Sequence, residues 1–488
     1  MHSIKEYEVK IKKLEKKIAQ IEQKAREKEL KHKSAKKEMS RLKQRVRELI
    51  KSRDNWKNKL KGVRQELKGV KHKLERQGKA KWHHYPTKLI GLCILLRIFC
   101  GCSFEGIVKI LGILKDYVGL EIDKIPCKNT IQNWVSKWGL FNYQNNPLSL
   151  VGKQVSLIID ESIRLGQEKL LLILSVPLEK IGQSALSFAD VVVVYMKGAK
   201  SWTGLAISEV VQKLEQSYGF EVKNILSDED SKLKNASHLL KKAHVPDISH
   251  AIATCLKRVF EKAEDFLLFK KTIGSYASKG VNQKLSYLCP PKQRTKARFM
   301  NLSRVVKWAN KLLGKFSKLE KKEAVFFKDL PSQSSFIKQL AECLALAKAV
   351  SLPFKLKGLS IQSLQEARAI MEKWNSKNTY LSAFIEEMKG YMTRYEQVIK
   401  SCGKKSIHVS SEIIESMFGK YKNKANSCAL TGLTKLNLEI PIYGNTKNIN
   451  IIYLTDALEI ISMVDLAEWV AKNSSDNQLV KRRNFFKK

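Results

Sequence analysis

Paired cysteine spacing is missing from this 488-residue chain. Its nine cysteines lie scattered at 93, 100, 102, 127, 255, 289, 343, 402 and 428. An odd, unpaired set excludes a disulfide framework and argues for reduced thiols. His83, His84, Cys100 and Cys102 come nearest to a zinc set. No C-x-x-C or H-x-x-x-H accompanies them, and Cys100 and Cys102 fall in an apolar helix-and-turn pattern where small buried residues belong. Long apolar runs are also lacking. The greasiest, Leu89 to Cys102, carries Arg97 and falls short of the ~18 residues a spanning helix needs. Met1-His2-Ser3-Ile4-Lys5-Glu6 opens on no apolar leader core, so the expectation is a soluble, cytoplasmic protein, associated with the nucleoid if bacterial. Acidic residues are scarce, 47 against 90 Lys and Arg, which leaves a net charge of +43. That excess calls for a polyanionic partner. Nucleic acid is the first candidate, with Lys and Arg contacts to phosphate supplying most of the affinity; a membrane surface is its rival.

Proline is absent before Pro86, and that stretch holds a sustained heptad pattern. The register runs Ile4, Tyr7, Ile11, Leu14, Ile18, Ile21, Ala25, weakens at Lys28, His32 and Ala35, and recovers at Met39, Leu42, Val46 and Leu49. Arg53 interrupts it before Trp56, Leu60, Val63, Leu67, Val70 and Leu74. Apolar a and d positions over so many heptads predict a coiled coil, hence a dimer or larger homo-oligomer. Residues 1–80 hold 28 basic and 11 acidic side chains, so this arm carries 17 of the 43 excess charges. It reads as an assembly arm that also lies along DNA, or as an ordinarily solvated helix.

Residues 83–145 read as a helical unit. Thr87 to Phe99 suits a buried helix, Gly101-Cys102-Ser103 breaks it, and Ser103 opens a second helix through Ile107, Ile110, Leu111 and Leu114. A third spans Cys127 to Gly139. Ile131, Trp134, Val135 and Trp138 share its apolar face; Lys128, Asn129, Gln132, Asn133 and Lys137 occupy the rest. Asn and Gln suit adenine edges and Lys suits guanine or phosphate, so this is a candidate helix-turn-helix reader. The bland alternative is a three-helix packing unit.

From Val155 the texture changes to short apolar runs: Val155–Ile159 ending in Asp160, Leu170–Val176, Val191–Met196, then a helix over Trp202–Tyr218. Val222–Leu226 follows, running into Ser227-Asp228, then a helix through Leu233, Ala236 and Leu239, and a fifth strand over Val245-Pro246-Asp247-Ile248. Three strands, helix, strand, helix, strand predicts an α/β unit with a mixed sheet. Residues 253–404 turn helical, with Phe260, Phe266, Phe269, Trp308, Leu312, Leu340 and Leu344 as core and a basic turn at Pro290-Pro291, Arg294, Lys296 and Arg298. Residues 405–465 carry a further helix near Ser411, and 466–488 read as a loose basic tail.

Asp160 and Asp228 each end an apolar strand, where open α/β sheets place ligands. Adjacent carboxylates repel, and a divalent cation relieves that; carboxylate and water ligands suit Mg²⁺ or Mn²⁺, and two ions can serve phosphodiester chemistry. A third acid comes from Ser411-Glu412-Ile413-Ile414-Glu415, where Ile414, Met417, Phe418 and Tyr421 form a buried stripe. Glu415 and Lys422 lie two turns apart on one face. Glu161 points to the opposite side of its strand, and Asp230 sits where acids favour a helix start.

These residues resemble those of DDE-type insertion-sequence transposases. The likeness covers residues 150–250 and 405–425, and implies an RNase H-like catalytic domain split by a helical insertion, behind the coiled coil of residues 1–82. Its first Asp ends the first strand, its second the fourth, and its Glu lies on a later helix. The resemblance therefore implies Asp160, Asp228 and Glu415 as metal ligands, double-stranded DNA as substrate, and cleavage followed by strand joining. Glu415 with Lys422 reproduces the Glu-to-Lys spacing of one branch; that branch's upstream Tyr and Arg are His408 and Ser411 here. The run from Ser249 to Phe260 resembles the segment after the second Asp, which implies a role for His250 in orienting a carboxylate or protonating the leaving group. Two alternatives stand beside it: an RNase H-like nuclease that cuts without joining, and an inert coiled-coil DNA-binding protein.

Overall fold

The computed structural model describes residues 4–76, 80–165, 168–182, 185–282, 284–292, 299–374, 377–403, 406–424, 433–445, 449–473 and 478–487. Arg294, Lys296 and Arg298 of the expected basic turn lie outside them. Contacts divide the chain into two units, Met1–Gly78 and Lys79–Lys488.

The first unit is one helix, α1 (Ile4–Arg76), 73 residues long, or about 110 Å at 1.5 Å per residue. Its described heptad positions face water in the single chain: Ile11, Leu14, Ile18, Ile21, Leu42, Val46, Leu49, Leu60 and Val63 are all exposed. An isolated helix gains nothing from such a stripe, because most helix stability comes from packing an apolar face.

The second unit opens with α2 (Thr87–Ile98), α3 (Phe104–Val118) and α4 (Lys128–Asn145). Ser103 caps α3 by accepting from the Gly106 N–H, as its type predicts. Ile131, Trp134, Val135 and Trp138 are buried on α4. That helix runs six residues beyond Gly139, because Leu140 and Asn142 are buried as well. At Gly139 the helix meets the backbone of the 3-10 segment Lys435–Asn445: an added Cβ would stand 2.0 Å from the Leu438 carbonyl oxygen. Backbone cannot yield as a side chain would. Gly139→Ala is expected to cost at least about 2 kcal/mol through overpacking; a denaturation midpoint within error of the parent would refute that close approach.

The sheet follows the predicted order. β1 (Gln154–Leu165), β2 (Glu168–Pro177) and β3 (Val192–Ala199) are antiparallel neighbours; α5 (Gly204–Tyr218), β4 (Glu221–Ser227), α6 (Ser231–Leu239) and β5 (Ala243–Pro246) come next. The sheet order is β3-β2-β1-β4-β5, with β4 parallel to β1 and β5 parallel to β4. The chain is therefore mixed α/β, an arrangement compatible with an RNase H-like domain plus helical regions. Alternation sorts the side chains. Val155, Leu157 and Ile159 pack with Val211, Leu233 and Ala236 of α5 and α6, while Ile158 and Leu226 belong to the core on the other face. A buried Asn224 Nδ2 donates to Ser156 Oγ at 2.8 Å across paired positions of β4 and β1. A one-residue slip would break that bond and invert both faces.

Two boundaries beside the candidate acids differ from the sequence reading. β1 does not stop at Asp160: it continues beside β2 to Leu165, while its pairing with β4 ends at Ile158–Leu226. β5 stops at Pro246, and Asp247 caps the following helix, α7 (Ile248–Phe260), instead of extending the strand.

The helical stretch continues with α8 (Glu264–Asn282), α9 (Leu302–Leu313), α10 (Lys321–Phe326), α11 (Ser334–Lys357), α12 (Ile361–Lys373) and α13 (Thr379–Cys402). Phe260, Phe266, Phe269, Leu312 and Leu340 are buried there, while Trp308 and Leu344 pack partly covered against the same core. α14 (Glu412–Lys424), α15 (Ile451–Ile460) and α16 (Met463–Asn473) end the packed part. The C-terminal stretch is thus not loose throughout: Leu466 and Trp469 are buried, Trp469 lies edge-on to Tyr143, and Gln478–Phe485 is helical too.

Candidate active site

Register places the two aspartates. Ile158 pairs with Leu226; Asp160 and Asp228 each stand two residues further on, so they share one level at the end of β4. Asp160 has the parity of Ile158 and faces the side where α7 and α14 pack. Glu161 has the other parity. It takes Lys169 at 2.8 Å and Lys232 at 3.2 Å, which makes it an ion-paired structural acid. Asp230 caps α6 by accepting from the Lys232 N–H.

A cavity of about 1180 Å³ opens at this level. Asp160, Asp228, His250, Glu415 and Lys422 all line it, so the structure brings the five sequence candidates together. Burial pushes the Asp228 carboxyl up, and nearby Asp230 and Glu161 add to this; the Asp230 N–H and His250 oppose it. Among the described residues, no three His, Cys, Asp or Glu side chains already converge as a metal set. The donor chemistry nevertheless fits a hard divalent cation: carboxylates from three separate elements face one cavity, one of them destabilised by burial.

α14 carries the third acid as the stripe predicts, with Ile414, Met417, Phe418 and Tyr421 buried. Its two glutamates have different partners. Glu412 is ion-paired with Lys355 of α11, whereas Glu415 meets His250 Nε2 at 3.3 Å. The hydrogen bond to Glu415, then the charges of Asp247 and Asp228, raise His250 to about 9 against the cost of burial. These acids favour the imidazolium form of His250.

Asp247 holds this arrangement together, and the sequence reading missed it. The residue is fully buried, accepts from the His250 N–H at 2.7 Å and from the Ser411 N–H at 2.6 Å. Ile248 N–H also donates to the Val409 carbonyl at 2.9 Å. One carboxylate thus ties the start of α7 to the start of α14. An Asp three residues before His250, at a helix start, was the available signal. The helical stretch contributes as well. Lys307 and Asn310 of α9 and Lys348 of α11 line the same cavity. Tyr395 of α13 donates to the Pro246 carbonyl at 3.0 Å, and Arg394 pairs with Glu229 at 2.9 Å.

His408, just before α14, has its Nε2 sealed from water with no hydrogen-bond partner. Burial pulls its pKa down to about 4. The unfolded chain takes up this proton near 6.5 while the folded one resists, so its contribution is complete above that pH and is lost as pH falls towards 4. The loss is expected to reach about 3 kcal/mol. Unfolding curves of His408→Leu should be flatter over that window than the parent's; equal pH dependence would refute the assignment.

The five DNA-facing candidates on α4 are divided. Asn129 is exposed, and Lys128 is exposed but paired with Glu105 at 2.8 Å. Gln132 is half-buried. Asn133 accepts from Lys435 at 2.7 Å, and Lys137 donates to the Leu458 carbonyl at 3.1 Å. The last two face other parts of the chain, so α4 does not present all five to one groove.

A family model described as "Transcription factor/nuclear export subunit protein 2" (Tho2) matches residues 2–102, the stretch of α1 and α2. No curated protein matches the chain. Among solved structures, the chain is similar to one described as "Drosophila P element transposase strand transfer complex", at 12% identity and a TM-score of 0.40. That match covers 76% of this chain and 94% of that one. The likeness is distant. No described helix is long and apolar enough to cross a membrane.

Proposed function

We propose that this chain is a transposase: a metal-dependent enzyme that cuts DNA at element ends and joins the freed 3′-hydroxyl to a target. The observation that carries this is the single cavity whose lining Asp160, Asp228 and Glu415 share with lysines from α9, α11 and α14. Asp160, Asp228 and Glu415 would hold Mg²⁺ or Mn²⁺, two ions in the favoured form, which supply charge neutralisation and a nucleophilic oxygen. Lys307, Lys348 and Lys422 would hold the phosphates on either side of the cut. His250 keeps Glu415 in place and carries a proton that can pass to the leaving oxygen. The +43 charge accounts for a polyanionic substrate.

The domain division belongs to the same reading: 1–82 assembles copies, 83–145 contacts DNA, 150–252 with 405–465 is catalytic, and 253–404 is inserted. Two or more copies would pair through the exposed stripe of α1. Removing residues 1–80 is expected to lower the oligomeric state, and light scattering giving the same mass per particle would sink that part. Labelled element ends incubated with the protein and Mg²⁺ test the chemistry. Strand-transfer products support a transposase, cut ends alone leave the nuclease, and binding without cutting leaves the inert protein.

A further inference from the structure

A second cavity, of about 1430 Å³, lies away from the carboxylates. Its walls are residues 81–86, the loop between α3 and α4, the Cys127–Lys137 edge of α4, and Leu458–Met463 at the join of α15 and α16. Deep in it, Lys137 Nζ lies 3.5 Å from His83 Nε2, and both approach the Leu458 carbonyl, at 3.1 and 3.3 Å. Among the described ion pairs, none includes Lys137. Burial pulls both side chains below their ordinary pKa values. The ammonium is half out of water, its close partners are a carbonyl and an imidazole, and Asp465 acts on it only through space; with no carboxylate of the described residues in ion-pair range, a direct anion contact is open there. Glu459 accepts the Lys81 backbone N–H at 2.8 Å and acts on His83 through its charge without a direct contact to Lys137. Glu121 and Asp123 stay exposed at the rim.

At the mouth stands Trp82, 89% exposed. Its φ of +67° is in the left-handed region, which a residue with a bulky side chain enters only at a cost. Trp82 is the third residue of a turn closed by the His83 N–H on the Ala80 carbonyl at 2.9 Å, and that turn holds the indole open to solvent. An anion contact with an open aromatic face beside it matches a nucleotide, phosphate inward and base on the ring. Bases inside a duplex are stacked on one another and cannot lie on an indole. The occupant must therefore be unpaired.

We propose that this cavity takes an unpaired nucleotide of a DNA strand, with the phosphate at Lys137 and His83 and the base stacked on Trp82. The assignment rests on DNA being the polyanionic partner, and it gives α4 a different task from groove reading. The test uses full-length protein and two fluorescent duplexes, one blunt and one with a short single-stranded overhang, followed by anisotropy over a salt series. The parent should prefer the overhang by about tenfold, the scale of one base–aromatic stack. Trp82→Ala should lose that preference while blunt binding stays within about twofold, and Trp82→Phe should keep part of it. Lys137→Gln should make the salt dependence of overhang binding shallower by about one phosphate contact. Equal affinity of the parent for both duplexes would overturn the cavity assignment and leave the transposase reading standing. So would equal loss of both duplexes in Trp82→Ala, or a free mononucleotide binding as tightly as the overhang. Failure to bind either duplex would remove both readings.

Discussion

Glu415→Gln is expected to cut labelled DNA ends in Mg²⁺ slower by a factor on the order of a thousand, with binding in Ca²⁺ unchanged. Asp160→Asn and Asp228→Asn should behave alike. An amide preserves size and removes the charge that a hard cation requires. Glu412→Gln provides the contrast, since Glu412 is already ion-paired with Lys355 of α11. It should keep a substantial part of the activity. Full cleavage by Glu415→Gln together with loss in Glu412→Gln would move the site by one helical turn. Full cleavage in both would take α14 out of the chemistry.

The largest stability effect is expected at Glu439, in the 3-10 segment that crosses α4. Its carboxylate is 2% exposed and receives Arg97 Nε at 2.7 Å and Lys424 Nζ at 3.3 Å. Arg97 comes from α2 and also lies over the Phe104 ring at 4.3 Å. Lys424 is the last residue of α14 and donates to the Arg97 carbonyl at 3.0 Å. Removing the single anion strands two cations out of water, so Glu439→Ala should cost about 3–5 kcal/mol. The readout is the denaturation midpoint at constant slope. A change below about 1 kcal/mol would mean that water or a rearranged side chain replaces the carboxylate.

The sheet was legible in the sequence because alternation and turn residues marked each strand. The order three strands, helix, strand, helix, strand left few ways to pair them. The stripe of α14 was legible for the same reason, since Ile414, Met417, Phe418 and Tyr421 repeat at helical spacing. Asp247 was not, because Val245 and Ile248 on either side continue a strand pattern, and only the Pro246 break and the cap bond end it. The division of α4 was hidden as well. Lys435 and Leu458 lie 302 and 321 residues away from their partners Asn133 and Lys137, and no local pattern encodes contacts at that range. Arg97 shows the same limit. In the chain it looks like a flaw in an apolar run, and in the fold it is half of a buried ion pair.

The hydrogen bonds at Asp247 and Ile248 bear on how such a chain can change length. The polypeptide leaves the sheet after Pro246, and just before α14 its backbone comes back to the start of α7, where the Ile248 N–H donates to the Val409 carbonyl. Everything between is a closed loop whose two ends already touch. Lengthening such a loop is thermodynamically cheap: the closure entropy grows only with the logarithm of its size, about 0.6 kcal/mol for each doubling. Residues can accumulate there over generations without prying Asp160, Asp228 and Glu415 apart, so long as the neck holds. Variation in size among descendants of this gene should collect inside the loop, with the neck itself held constant.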